Sequence, residues 1–246
     1  TTDGGRTWSV AVKDTMMYRN DMAMIDSLHG WSCGVRGLFR TSDGGRSWTP
    51  HPSVTSRKLN AITFRNADSG WVAGYFGVLL RTTDGGETWL NEYTVRMSDF
   101  RALEFPSEDS GWVVGSGIFR TTDGGMNWLS LPHPASGILT DAFLFDGRSG
   151  VCIGKDGLVI STTDAGNTWA QQTIAPGQLL TDVFFLDRER GWIATLEGSI
   201  FHTRDGGGSW RLLADGFPAD LGRVAFTNSR TGHAVCLNGG FWSTRD

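Results

Sequence analysis

One eight-residue box recurs along this chain at a nearly fixed interval, and that interval limits the fold more than any other feature. The box reads TTDGGRTW at 1–8, TSDGGRSW at 41–48, TTDGGETW at 82–89, TTDGGMNW at 121–128, TTDAGNTW at 162–169 and TRDGGGSW at 203–210, and STRD at 243–246 begins it again. Its aspartates, Asp3, Asp43, Asp84, Asp123, Asp164, Asp205 and Asp246, are spaced 40, 41, 39, 41, 41 and 41 residues apart. Self-similarity at such a period marks an array of supersecondary units that stack to build a core.

A second landmark is a glycine followed by a large residue: Gly30-Trp31, Gly70-Trp71, Gly111-Trp112, Gly150-Val151, Gly191-Trp192 and Gly232-His233. The large residue lies 28 positions beyond the box aspartate in all six repeats. The rest of each period varies between 11 and 13 residues, around Val35-Arg36-Gly37, Phe76-Gly77, Ser116-Gly117, Asp156-Gly157, Glu197-Gly198 and Gly239-Gly240. Glycine-centred tight turns tolerate such slippage.

The segments between turns read as strands. Repeat two gives KLNAITF (58–64), WVAGY (71–75), VLLRTT (78–83) and ETWLNEYT (87–94), four runs rich in β-branched and aromatic residues and bounded by turn residues. No segment sustains a 3.6-residue apolar period with caps, so almost no helix is expected. Four strands in about 40 residues make a propeller blade. The expected fold is all-β, a six-bladed β-propeller of four-stranded antiparallel blades, with strands A to D running from the inside outward. Blades are expected at roughly 17–53, 54–95, 96–133, 134–174, 175–215 and 216–246 plus 1–14, in a single domain over 1–246. The run GRTWSVAV (5–12) reads as a lone strand D, and GFWSTRD (240–246) as the strand C that ends the sixth repeat. Their pairing would close the ring and remove exposed sheet edges. A chain that opens in mid-box is read as a trimmed piece of a longer protein.

Composition narrows the function. The 22 basic and 26 acidic residues give a net charge of −4, which argues against nucleic-acid binding driven by bulk charge. No apolar run approaches the roughly 18 residues of a membrane helix. Cys33, Cys152 and Cys236 fit neither a disulfide framework nor a metal pattern and read as buried apolar residues. The five histidines show no metal-ligand spacing. No metal and no cofactor is expected.

The box reads as a turn device. Its aspartate can accept backbone N–H groups of its own hairpin, and its glycines supply positive φ. Its tryptophan, at Trp8, Trp48, Trp89, Trp128, Trp169 and Trp210, can clamp the hairpin to the blade. A catalytic acid is needed once or twice per site, not seven times around a ring. Trp31, Trp71, Trp112 and Trp192 read as packing between blades, and Ile62/Phe64, Leu103/Phe105, Val183/Phe185 and Val224/Phe226 as the alternating core of strand A. Arg40, Arg81 and Arg120, followed by Ser161, His202 and Ser243 at the same position, read as a strand C cross-blade contact.

In an antiparallel blade the D-to-A connections and B-to-C turns share one end, and the A-to-B turns and boxes share the other. The first end carries Arg19, Arg36, Arg57, Lys58, Arg96 and Arg101 in repeats one to three, with Tyr18, Tyr75 and Phe76. Repeats four to six place Lys155, Asp141, Asp156, Asp182, Glu197, Asp215 and Asp220 there. Arginine with aromatic residues is the composition of protein interfaces. The partner-binding residues expected are therefore Arg19, Arg36, Arg57, Lys58, Tyr75, Phe76, Arg96 and Arg101. Asp141 and Asp182 sit at equivalent strand A positions in adjacent repeats, and recurrence of the Thr-Asp step favours a structural role over a paired-carboxylate mechanism.

The pattern S/T-x-D-x-G-x-T/S-W is the Asp-box, or bacterial neuraminidase repeat. The longer stretch at 70–89, from Gly70-Trp71 to Thr88-Trp89, resembles the photosystem II stability and assembly factor family. That resemblance spans the whole chain. It implies a non-enzymatic scaffold that meets a protein or peptide client through an arginine-rich surface, outside the cytoplasm. The oligomeric state is left open by the sequence, with a monomer expected. The family is typically seven-bladed, and six repeats depart from it. The alternative is a sialidase-like or other glycan-acting or glycan-binding propeller, which the blade count and Asp-boxes also resemble. Sialidases need three arginines, a Tyr–Glu pair and an aspartic acid/base. Here Tyr18, Tyr75 and Tyr93 are the only tyrosines, Tyr75 and Glu197 fall three blades apart, and the connecting loops are short.

Overall fold

A computed structural model describes residues 19–52, 55–94, 98–217, 220–237 and 239–245. The fold is all-β, a six-bladed β-propeller whose blades are small antiparallel sheets with strands joined in sequence order. Helix among the described residues is confined to two three-residue 3-10 turns, Tyr75–Gly77 and Lys155–Gly157. No described helix is long and apolar enough to cross a membrane.

The chain forms two compact units, residues 1–97 and 98–246. The first holds blade one (Arg19–Met24, Gly30–Gly34, Gly37–Thr41, Thr49–Pro50) and blade two (Leu59–Phe64, Gly70–Gly74, Val78–Thr82, Leu90–Thr94). The second opens with blade three (Phe100–Glu104, Gly111–Gly115, Ile118–Thr121, Leu129–Leu131) and blade four (Leu139–Leu144, Gly150–Gly154, Leu158–Thr162, Ala170–Thr173). Blade five (Leu180–Phe185, Gly191–Thr195, Ile200–Thr203, Arg211–Ala214) and blade six (Leu221–Phe226, Gly232–Cys236, Phe241–Thr244) complete it. Blade six has three strands among the described residues. The strand expected at 5–12 lies outside them, as do Asp3, Trp8, Tyr18, Arg96 and Asp246.

Strand B is the spine of each blade. In blades one to five all five of its residues are buried, with a neighbouring strand paired on each side. This explains the Gly-aromatic landmark. A Cβ on Gly70 would sit 2.7 Å from the Phe64 ring, and one on Gly191 2.5 Å from Phe185. Glycine lets the strand A phenylalanine lie across the start of strand B.

The next residue then reaches the following blade. Trp31 Nε1–H of blade one donates to the Gly85 carbonyl of box two at 3.0 Å, and its ring meets Trp89 edge-on with centroids 5.7 Å apart. Within the second unit Trp112 meets Trp169 in the same way at 5.8 Å. Where Val151 replaces the tryptophan, Phe145 and Phe143 pack on Phe185 instead, at 4.7 and 5.4 Å. Each buried ring contributes at most about 4–6 kcal/mol, from an area of about 150–250 Å². At the first position of the strand C column, Arg40 pairs with the Glu87 carboxylate of the next box.

Cys33, Cys152 and Cys236 are buried free thiols. Strand A adds polar staples between successive blades. Asp21 Oδ2 accepts the Ile62 N–H at 2.9 Å and Glu104 Oε2 the Leu144 N–H at 3.1 Å. Asp141 Oδ2 accepts the Val183 N–H at 3.0 Å and Asp182 Oδ2 the Val224 N–H at 2.8 Å. The sequence places Asp141 and Asp182 among the charges of the loop end. The structure buries them in the sheet instead, because strand A carboxyls can satisfy strand N–H groups one blade on.

Candidate functional site

The two ends of the blades are built differently. At the box end the geometry repeats almost without change. In box two, Thr82 Oγ1–H donates to Asp84 Oδ1 at 2.7 Å, and the Gly86 N–H donates to Thr82 Oγ1 at 2.8 Å. The Thr88 N–H donates to Asp84 Oδ1 at 2.9 Å and its hydroxyl to Asp84 Oδ2 at 2.5 Å. Gly85 and Gly86 have φ of 70° and 92°. The Gly85 N–H closes the end by donating to the Asp68 carbonyl of the A-to-B turn at 2.9 Å.

The same ties hold the boxes of Asp43, Asp123, Asp164 and Asp205. The hydroxyl four residues on, then that residue's N–H, holds the Asp84 carboxyl down at about 2. The same causes act on Asp43 and Asp164. A carboxylate whose acceptor sites are filled by its own hairpin is a structural acid. Trp89 and Trp128 are buried, and Trp48, Trp169 and Trp210 partly so. Sequence reasoning assigned the tie to the aspartate and missed the threonine two residues before it, whose hydroxyl organises the glycine turn. The invariant first Thr of the box in these five repeats was the available signal.

At the loop end the repeats diverge. In blade two the Tyr75 N–H donates to the Lys58 carbonyl at 2.9 Å, joining the B-to-C turn to the D-to-A connection. Phe76 occupies the left-handed region at φ 57°, ψ 36° and is 59% exposed. Arg57 lies over the Phe76 ring with Cζ 4.6 Å from its centroid, and Lys58 Nζ lies 5.1 Å from the Tyr75 ring. Four of the expected partner-binding residues thus form one basic-aromatic cluster. Cation–π contacts of this kind orient both partners.

The other four stand differently. Arg36 is exposed on the blade-one turn beside Val35, itself 47% exposed and not singled out in the sequence. Arg19 is half-buried on strand A, its guanidinium 4.7 Å from the Trp48 ring and 5.3 Å from that of Phe39. Arg101 is half-buried on strand A of blade three, in the second unit. Arg96 lies outside the described residues.

Blades four and five present other chemistry at this end. The turn Lys155–Gly157 carries Asp156, and its Gly157 N–H donates to the Gln178 carbonyl at 2.8 Å. Glu197 accepts the Leu179 N–H on both carboxylate oxygens, at 3.1 and 3.2 Å. Among the described residues no group of three or more His, Cys, Asp or Glu side chains could hold a metal ion.

A model of the photosynthesis system II assembly factor YCF48 family matches residues 2–99 and 92–211. The chain belongs to this family. The structure of YCF48 bound to a D1 peptide is 22% identical, with 93% of each chain covered and a TM-score of 0.52. YCF48 from Cyanidioschyzon merolae is 19% identical over 92% of this chain and 95% of that one, with a TM-score of 0.58. The GH74 enzyme of Niastella koreensis is 15% identical over 93% of this chain and 45% of that one, with a TM-score of 0.74. At these identities the solved structures speak for the fold. Comparison with curated proteins gave no match. Family membership makes a YCF48-type propeller, rather than a sialidase, the frame for reading the loop end.

Proposed function

We propose that this YCF48-family propeller is a non-enzymatic scaffold that binds a protein or peptide client on its loop end, with the blade-two cluster as the anchor. The observation that carries the reading is Phe76. A phenylalanine 59% exposed in the left-handed region is disfavoured twice, by backbone sterics and by hydration of its ring. Held under a guanidinium and flanked by Lys58 and Tyr75, it has the make-up of an interface hot spot, an aromatic with basic neighbours. A relative in the same family has been captured with a D1 peptide, which supports a peptide as the client class.

Three of the carboxylates that the glycan-acting alternative could draw on are held within the scaffold. Asp141 and Asp182 are 9% and 4% exposed and accept strand N–H groups. Glu197 is tied to Leu179. Charge reversal of Arg57 and Lys58 to Glu tests the reading, with D1 peptide as the probe in a pull-down. Loss of capture with an unchanged melting temperature supports it, and full retention sinks it. Hydrolysis of sialosides or glucans by the wild type would reinstate the enzyme.

A further inference from the structure

Blade one shows how a blade receives the box of its neighbour. Trp31 on strand B meets the Trp89 indole edge-on. Arg40, its cross-strand partner on strand C, lies over the Trp31 ring and pairs with Glu87. Phe64, the strand A ring opposite the landmark glycine, closes the other side of Trp89 at 5.8 Å. Phe105 and Phe185 meet Trp128 and Trp210 at the same 5.8 Å.

Blade five turns the same arrangement toward blade six. Trp192 is the strand B ring, and His202, its cross-strand partner, stacks on it at 4.8 Å. Phe226, opposite Gly232, is the strand A ring of blade six. Among the described residues no box tryptophan meets it, and it lies flat on Trp192 with centroids 3.8 Å apart. Two hollows lie along this flank. The walls of one, about 120 Å³, include Ile200, Phe217, Phe226, Ala234 and the exposed Trp242. Those of the other, about 420 Å³, include His202, Arg204, Asp205, Arg211 and Leu213. Ile200 and His202, which mark the two hollows, stand two residues apart on one face of strand C, about 7 Å.

The hollows differ in chemistry. The smaller is aromatic, with the Phe217 and Trp242 rings edge-on at 5.7 Å. The larger has a cationic rim. Arg204 and Arg211 are exposed, and neither has an ion pair among the described residues. The Asp205 carboxylate is occupied by Thr203 and Ser209 of its own box. His202 Nε2 is buried without a hydrogen-bond partner.

We propose that this flank of blades five and six is a docking surface for an extended peptide of a partner protein that carries an acidic residue two positions before a tryptophan. The indole enters the aromatic hollow, where Phe217, Phe226 and Trp242 offer ring faces and edges. The carboxylate lies between Arg204 and Arg211, two unpaired guanidiniums that favour an anion through charge-assisted hydrogen bonds. Glu87 and Trp89 have this spacing in box two, where the acid meets Arg40 and the indole meets Trp31 and Phe64. Side chains two apart share one face of an extended strand and span the same 7 Å or so as the hollows. The surface runs along the side of the blades from Arg204 to Phe217 and shares no residue with the blade-two cluster.

Fluorescence anisotropy tests this, with the whole protein titrated into a labelled synthetic peptide of the sequence TTDGGETWLNEYT, that of residues 82–94. Binding should saturate with a Kd below about 1 mM. Arg204→Glu combined with Arg211→Glu should weaken it at least roughly tenfold without moving the melting temperature, since both side chains are exposed. Trp242→Ala in the protein, or Glu87→Arg or Trp89→Ala in the peptide, should weaken it similarly. Charge reversal of Arg57 and Lys58 should leave it unchanged. No saturation by about 1 mM, an affinity that ignores reversal of Arg204 and Arg211, or a loss on reversal of Arg57 and Lys58 overturns the proposal.

Discussion

In blade two the turn Tyr75–Gly77 holds Phe76 at φ 57°, ψ 36°, and in blade four the turn Lys155–Gly157 holds Asp156 at φ 57°, ψ 31°. The backbone path is the same. The side chains are not: one turn presents an aromatic ring under Arg57, the other a carboxylate beside Lys155. Aspartate visits the left-handed region with little strain because its short side chain can bond locally, whereas a bulky ring there costs on the order of 1 kcal/mol. Blade four shows that the turn can be closed without that strain. Blade two accepts it and exposes an apolar ring as well. Under the proposed function such a residue is held for what its ring meets, which is the reason for proposing the anchor there and not on the better-charged turns of blades one and five.

The comparison requires that stability reside at the box end and recognition at the turn end. Its largest expected consequence is at Trp89, 3% exposed and packed edge-on against Trp31 and Phe64. Trp89→Ala should lower unfolding free energy by about 3–5 kcal/mol in urea titration. Client affinity should be unchanged below the transition. An unchanged midpoint with lost binding would reverse the assignment of the two ends.

The second test converts one turn into the other. Phe76→Asp gives blade two the blade-four residue at the same φ and ψ. Client affinity should fall by about 2 kcal/mol, roughly 30-fold, which is the scale of an interface hot spot. Calorimetric titration with D1 peptide reads it. The fold should be unaffected, since the turn already accepts aspartate elsewhere in the chain. If affinity holds within about twofold, Phe76 is not the anchor.

The fold was legible because its signals repeat. Six copies of a 28-residue step from aspartate to strand B, with glycine where Phe64 and Phe185 cross the sheet, leave little choice of architecture. The box was legible as a turn for the same reason. The candidate site was less so. Charge and aromaticity picked out Arg57, Lys58, Tyr75 and Phe76, but nothing in their spacing shows that Phe76 turns left-handed or that Arg57 covers it. Arg19 belonged to the same sequence pattern, yet it packs on Trp48 and Phe39, because its position at the head of strand A points it along its own blade. The strand A staples were harder still. Asp141 and Asp182 repeat at one register position, but Glu104 does the same work from two residues further along, and a one-dimensional period cannot show that equivalence.

The smallest expected effect separates strain from contact within the blade-two turn itself. Phe76→Asn should relieve left-handed strain of about 1 kcal/mol, because asparagine tolerates that region. The same change removes the ring under Arg57, a contact of about 0.5–1 kcal/mol at an exposed site. The two nearly cancel, so the single variant should melt within about a degree of the wild type. In an Arg57→Gln background the contact is already gone, and Phe76→Asn should there stabilise by close to the full 1 kcal/mol. The difference between the two backgrounds measures the Arg57–Phe76 coupling directly. Destabilisation by Phe76→Asn in both backgrounds would mean that the ring is held by packing rather than against strain. The blade-two turn would then differ from the blade-four turn only in composition, and the reason for choosing it as the anchor would be gone.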